Sequence, residues 1–176
     1  MNLMTLIPFT EHWATIYKPM QHDRKSNKRF YCVESIANIA NLSKELPRIH
    51  SPFVCIETNI GGDIGNKFLE PEYNVYFFVQ AGQKVQDNDI ADSSAKDEAM
   101  RHAIAYLNYI RHEKDIHEDD RESQLLGIDT DQVHFETFGP ILNRWFCVGI
   151  ALSDLSKYSR CMSKDDYVEE GTWKKE

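Results

Sequence analysis

"IETNIGGDIGNKFLEPEYNVYFF", Ile56 to Phe78, decides how this chain folds. Two runs rich in aromatic and branched residues flank a loop carrying Gly61, Gly62 and Gly65, with Asp63 among them. Such a loop is either a phosphate cradle or the tip of a long hairpin. A Walker loop needs Lys and Ser or Thr directly after its last glycine, where they reach phosphate and magnesium. Here Gly65 is followed by Asn66, Lys67 and Phe68. A dinucleotide loop must open into a helix whose first N–H groups face the anion, whereas "KFLEPEY" runs into Pro71 and then a strand-like run. Asp63 would repel a phosphate besides. The stretch reads as a hairpin whose protruding part spans Asn59 to Pro71.

Working outward, "PFVCIET" (Pro52 to Thr58) and "YNVYFFVQA" (Tyr73 to Ala81) are the two clearest strands. In the second, Tyr73, Val75, Phe77 and Val79 share one face. Asn74, Tyr76, Phe78 and Gln80 share the other, a mixed face expected to be partly covered. Ser94, with Asp97 three residues on, resembles a capping box. From it Ala95, Ala99, Ala103, Tyr106, Leu107 and Ile110 trace one apolar stripe to about Arg111. Small residues early in that stripe let the helix lie close on a sheet. "HEKDIHEDDRESQ" then reads as a solvated loop. "QVHFETF" alternates, with Val133 and Phe135 on one face and His134 and Glu136 on the other. "RWFCVGIAL" directs Phe146, Val148, Ile150 and Leu152 inward, and "GPILN" between them carries turn signals at Gly139, Pro140 and Asn143.

Upstream, Ile7, Trp13, Ile16 and Tyr17 fit a short amphipathic helix at about residues 6–18, with Thr10 as its N-cap and Pro19 ending it. "QHDRKSNKR" is a polar connector and the most basic part of the chain; its alternative reading is a patch that meets an acidic partner. Phe30 to Val33 is strand-like, and helical spacing follows from Ser35 to Pro47. From Ser153 the chain turns polar with scattered aromatics, Tyr158, Tyr167 and Trp173. The fold expected is α+β: an antiparallel sheet with a long helix packed across one face, within residues 1–155, preceded by the N-terminal helix and followed by a C-terminal arm at 156–176.

The 176 residues, 41% apolar and 27% charged, suit one domain with enough core to need no disulfide or metal staple. A net charge of −8 argues against wrapping duplex DNA, which needs clustered Lys and Arg. Cys32, Cys55, Cys147 and Cys161 lie too far apart in sequence for a zinc knuckle and read as reduced thiols. The N-terminus does not read as a signal peptide, and no apolar run approaches the roughly 20 residues that span a bilayer. An intracellular protein, or part of a particle assembled inside a cell, is expected.

Local chemistry is sparse. His112 and His117 are five apart, whereas zinc helices place two His four apart. His134 and Glu136 share a strand face and could form an acid/base pair, or simply face solvent. No serine sits in a nucleophile elbow, and no cysteine has an adjacent histidine. Trp145, Trp173, Tyr76 and Phe78 could stack on bases, yet the sheet supplies almost no Lys or Arg for a nucleic-acid groove. Core packing or a protein interface suits them better. No catalytic, cofactor-binding or metal-ligating residues are assigned.

The layout carried by "SPFVCIET", "NVYFFVQAG", "DEAMRHAIAYLNYI" and "VHFETFGPILNRWFCVGIALSDL" resembles the tail-terminator-like and neck (head–tail connector) proteins of tailed bacteriophages. "LIPFTEHW" is similar to the openings of proteins from prophage-like regions of Bacteroides-type bacteria and crAss-like phages. The resemblance covers roughly Phe30 to Leu155; the N-terminal helix and C-terminal arm exceed the family's minimal pattern. It implies a structural virion protein of the neck or tail, assembled in the host cytoplasm as a ring of six or twelve subunits between portal and tail. It implies portal, connector or tail proteins as neighbours, DNA that passes without sequence-specific binding, no membrane, no cofactor and no catalysis. An acidic surface suits a channel through which DNA slides. The contact residues then expected are Asn59, Ile60, Gly61, Gly62, Asp63, Ile64 and Gly65 of the hairpin, with Tyr158, Tyr167 and Trp173 of the arm. Two other readings stay open: a small cytosolic enzyme built around His134 and Glu136, and a monomeric protein-binding module.

Overall fold

The aromatic and branched runs do form the strands. A computed structural model of the chain, describing residues 3–35, 49–64, 68–82, 88–117, 127–141, 144–154 and 158–159, gathers them into one sheet. Its strands are β1 (Phe30–Val33), β2 (Phe53–Glu57), β3 (Gly61–Ile64), β4 (Phe68–Gln80), β5 (His134–Ile141), β6 (Trp145–Ser153) and β7 (Tyr158–Ser159). The main order is β1-β2-β4-β6-β5, with β3 and β7 both paired to β4. Two helices accompany them, α1 (Leu3–Ile16) and α2 (Asn88–Ile116). The architecture is α+β, with the long helix laid across the sheet, as the sequence implied. One pair departs from the antiparallel expectation, for β1 runs parallel to β2. A parallel neighbour requires a crossover, and it runs through residues 34–52. The helix expected from Ser35 to Pro47 lies outside the described residues.

Strand alternation sends each face of β4 into its own core. Tyr73, Val75, Phe77 and Val79 meet Val54 and Ile56 of β2 and Phe146, Val148, Ile150 and Leu152 of β6 beneath the helices. On that side α2 contributes Ala91, Ala95, Ala99, Ala103, Tyr106 and Ile110, and its alanines let the helix axis sit close to the strands. Leu107, also expected on the stripe, is only partly buried. The opposite face carries a second core, in which Tyr31, Phe53, Cys55, Tyr76, Phe78, Trp145 and Cys147 are all buried, while Asn74 and Gln80 at its ends are half-buried. Phe53 and Phe78 stack there at 4.6 Å. The aromatics considered as base-stacking platforms are thus core residues, apart from Trp173, which lies outside the described residues.

α1 lies antiparallel along α2, since Phe9 stacks on Tyr109, Trp13 meets Tyr106 and Tyr17 meets His102. Trp13 also reaches Phe77 of the sheet, edge to face at 5.8 Å. Thr10 is therefore no N-cap. It sits mid-helix and fully buried, its hydroxyl donating to the Leu6 carbonyl at 2.9 Å and bonded to Tyr106 Oη at 2.6 Å. The helix begins at Leu3, with Pro8 inside it, because Leu6, Thr10 and Trp13 continue the buried stripe upstream.

α2 is longer than its capping signal suggested. It starts at Asn88, which leaves Ser94 inside the helix, and it runs past Arg111 to Ile116. Ala91 extends the apolar stripe at the start. Arg111 and Lys114 anchor the end by donating to the Thr130 and Ile128 carbonyls. His112 through Ile116 is consequently helix and not loop. Likewise β5 continues through Gly139 and Pro140 to Ile141, where the sequence placed a turn. A register shift between Phe138 and Ile141 absorbs the glycine. At Gly139, with φ of 125°, any Cβ would lie 2.9 Å from Phe146 Cδ1 and from the Trp145 carbonyl.

Candidate functional site

The hairpin read from Ile56 to Phe78 is present, and it protrudes. β6 pairs with β4 only from Glu72 to Gln80, and β2 only from Val75 to Phe78. Phe68 to Glu70 run on beyond both, Pro71 being buried with its carbonyl accepting the Asp154 N–H just past β6. That leaves an overhang of about 10 Å at 3.4 Å per residue. β3 covers one edge of this overhang, from Gly61 opposite Glu72 to Ile64 opposite Leu69. β7 covers the other edge, with Tyr158 opposite Leu69 and Ser159 opposite Phe68. The result is a three-stranded extension, β3-β4-β7, assembled from the hairpin and from the first residues of the arm.

Four residues, Glu57 to Ile60, stand opposite only two, Tyr73 and Asn74, where β2 gives way to β3. Asn59, Ile60, Gly61 and Gly62 are exposed there, Ile60 at 52%. Gly62 takes a φ of 137°, open to glycine alone in practice. Gly61, Gly62, Asp63 and Ile64 thus form β3, with Asn59 and Ile60 at its root. Tyr158, more than 90 positions away in sequence, joins the same extension. Gly65, Tyr167 and Trp173 lie outside the described residues. The union of hairpin and arm was not legible in sequence, because a two-residue pairing such as β7 carries too few side chains to form a pattern.

His134 and Glu136 are 3.5 Å apart on β5, an edge strand, with side chains 74% and 61% exposed. Both side chains are therefore largely hydrated on an open sheet edge. The register carries their side of the sheet across Ala151 and Gly149 to Asn74 and Tyr76. There the sequence reading missed a polar cluster. Tyr76 Oη and Asn74 Nδ2 donate to Glu57 Oε2 at 3.0 and 3.2 Å, and Glu57 is buried. Burial and the hydrogen bond to Glu57 push the Tyr76 phenol well above its ordinary range. The cluster therefore holds a carboxylate inside the sheet and does not activate a nucleophile.

A second cluster was also missed. His22 is buried, its Nδ1 accepting the Arg29 backbone N–H at 2.9 Å. In the neutral ring Nε2 then carries the proton and faces Glu11 Oε1 at 3.3 Å. Arg24 clamps both oxygens of Glu11 and, with His22, holds that carboxyl below its usual value against some desolvation. Cys32 lines the same open cleft of about 410 Å³. Yet both His22 nitrogens are engaged, and burial pushes the Cys32 thiol up, so the cleft assembles no thiol–imidazole pair. Cys55 and Cys147 are buried in the second core, and burial raises both thiols.

Among the described residues no group of three His, Cys, Asp or Glu is placed to hold a metal ion. No described helix is long and apolar enough to cross a membrane. No protein-family model, curated protein or solved structure matches the chain.

Proposed function

We propose that this protein is a structural, self-assembling subunit whose β3-β4-β7 extension and exposed β5 edge contact neighbouring subunits. In its specific form it is a ring-forming connector or tail-completion protein between the portal and tail of a tailed phage. The extension carries the reading. Three segments of chain combine to build it, the third from far along the sequence. It presents exposed Ile60 beside two glycines that let another backbone approach closely. At the other side of the sheet, β5 offers an edge bearing Phe135, 56% exposed, and strand edges pair readily between chains. The acidic chain suits a lumen that DNA traverses.

Light scattering on the purified chain, with negative-stain images of the same sample, tests this. Assemblies of six or more subunits are expected. Replacing residues 59–72 by Asn-Gly leaves Thr58 and Tyr73 flanking a two-residue hairpin turn, so the core should stay folded. That variant should be monomeric with a melting temperature near that of the parent. A parent chain that stays monomeric at every concentration would sink the self-assembly reading and favour the monomeric binding module.

A further inference from the structure

The molecule has two unlike ends. Glu11 to Arg29 holds five cationic side chains against two carboxylates, in a chain of net charge −8. The loop within it is rigid: Asp23 Oδ1 accepts the Lys25 and Ser26 N–H groups at 2.8 Å, and Asn27 Nδ2 donates to the Met20 and Gln21 carbonyls. Glu11 is paired with Arg24, and the remaining cations outnumber Asp23. Lys25 and Lys28 are left exposed at the surface, Lys28 over the Tyr31 ring at 4.5 Å. Arg29 donates to the Pro52 carbonyl, which ties the loop to the start of β2.

The far end is acidic. The last turn of α2 carries the partial negative charge of unsatisfied carbonyls, where cations are favoured. It carries Lys114 there, but also Glu113 and exposed Asp115. Its Arg111 and Lys114 are turned onto the Thr130 and Ile128 carbonyls. That same segment adds Asp129, which accepts the Asp131 and Gln132 N–H groups, and exposed Asp131, so that four carboxylates stand against two cations. Asp129 N in turn donates to the Ser153 carbonyl at the end of β6.

These ends cannot meet within one chain. α1 runs antiparallel to α2 and places the loop beyond the Tyr17–His102 contact, and α2 from His102 to Ile116 spans about 21 Å. The sheet agrees, since the loop adjoins Pro52, level with Phe78 of β4, and the acidic segment adjoins Ser153, opposite Glu72, about 20 Å along the strand.

We infer that the basic loop around Lys25 and Lys28 docks on the acidic end of α2, around Asp115 and Asp131, in a second copy of this chain. The inference rests on the self-assembly reading above and gives it a polarity. A contact between two different surfaces of identical subunits is head to tail, and it closes into a ring where the rotation allows.

Charge reversal in both partners tests it. One variant carries Lys25→Glu and Lys28→Glu, the other Asp115→Lys and Asp131→Lys, and none of these side chains is buried. Circular dichroism and melting should match the parent. Each variant alone sets like charges face to face, so the concentration for half-assembly should rise about tenfold or more. An equimolar mixture should regain the parental mass, because every junction then pairs opposite charges. Assembly of the parent should also weaken as salt rises from about 50 to 500 mM. If either variant assembles like the parent, or the mixture stays dissociated, this contact is wrong while the self-assembly reading stands. If the parent itself is monomeric in low salt, both are wrong.

Discussion

A Cβ on Gly149 would lie 2.7 and 2.8 Å from Cε1 and Cδ1 of Tyr76, whose hydroxyl is fixed to buried Glu57. The ring cannot retreat without breaking that bond, so Gly149→Ala should destabilise the protein by about 1–3 kcal/mol, measured by urea denaturation. His102 is the other informative residue. It is buried, with Nδ1 bonded to Tyr17 Oη at 2.9 Å, and Glu98 is its nearest carboxylate, 3.6 Å from Nε2 and beyond hydrogen-bond reach. Burial lowers its proton affinity from the ordinary 6.5, and Glu98 restores only part of it. The unfolded chain therefore takes up the proton more readily. The stability linked to His102 is full above about pH 6.5 and is lost as pH falls through that value toward the lower folded one. Melting temperatures at about pH 7.5 and 5.5 should show a decline that His102→Gln reduces.

The strands and the apolar stripe of α2 could be read from the sequence because each carries a long periodic pattern. Tyr73, Val75, Phe77 and Val79 alternate, and Ala95, Ala99 and Ala103 recur every fourth residue. Ends were less legible. Thr10 looked like a cap because a polar residue inside a helix ordinarily faces solvent, and its partner Tyr106 is 96 positions away. Ser94 looked like a start because a capping box is a local signal, while Arg144 bonded to Asp92 helps hold the preceding turn and is not local at all. The candidate site divided the same way. Asn59 to Ile64 announced themselves through glycines, whereas β7 did not. Because β7 protects the β4 overhang on one side, truncation after Leu155 should speed amide exchange across residues 61–64 and 68–70. Exchange at Val75, Phe77 and Val79 should be unchanged, with the melting temperature nearly so.

For the whole molecule, the sheet separates two cores: α1 covers the helical side, and Tyr158 and Ser159 brace the overhang. Polarity follows from that arrangement, with the basic loop at one end and the extension at the other beside the acidic segment. The charge-reversal and hairpin-replacement experiments probe separate surfaces, so each can fail without the other. The two surplus residues where β2 passes into β3 have one more consequence. Because β4 runs unbroken through sheet and extension, it alone sets which way the extension faces. Side chains in a strand alternate sides, so the surplus decides only the phase of β3. An even number keeps β3 in step with β2, whereas an odd one would exchange the two sets of side chains that β3 shows above and below.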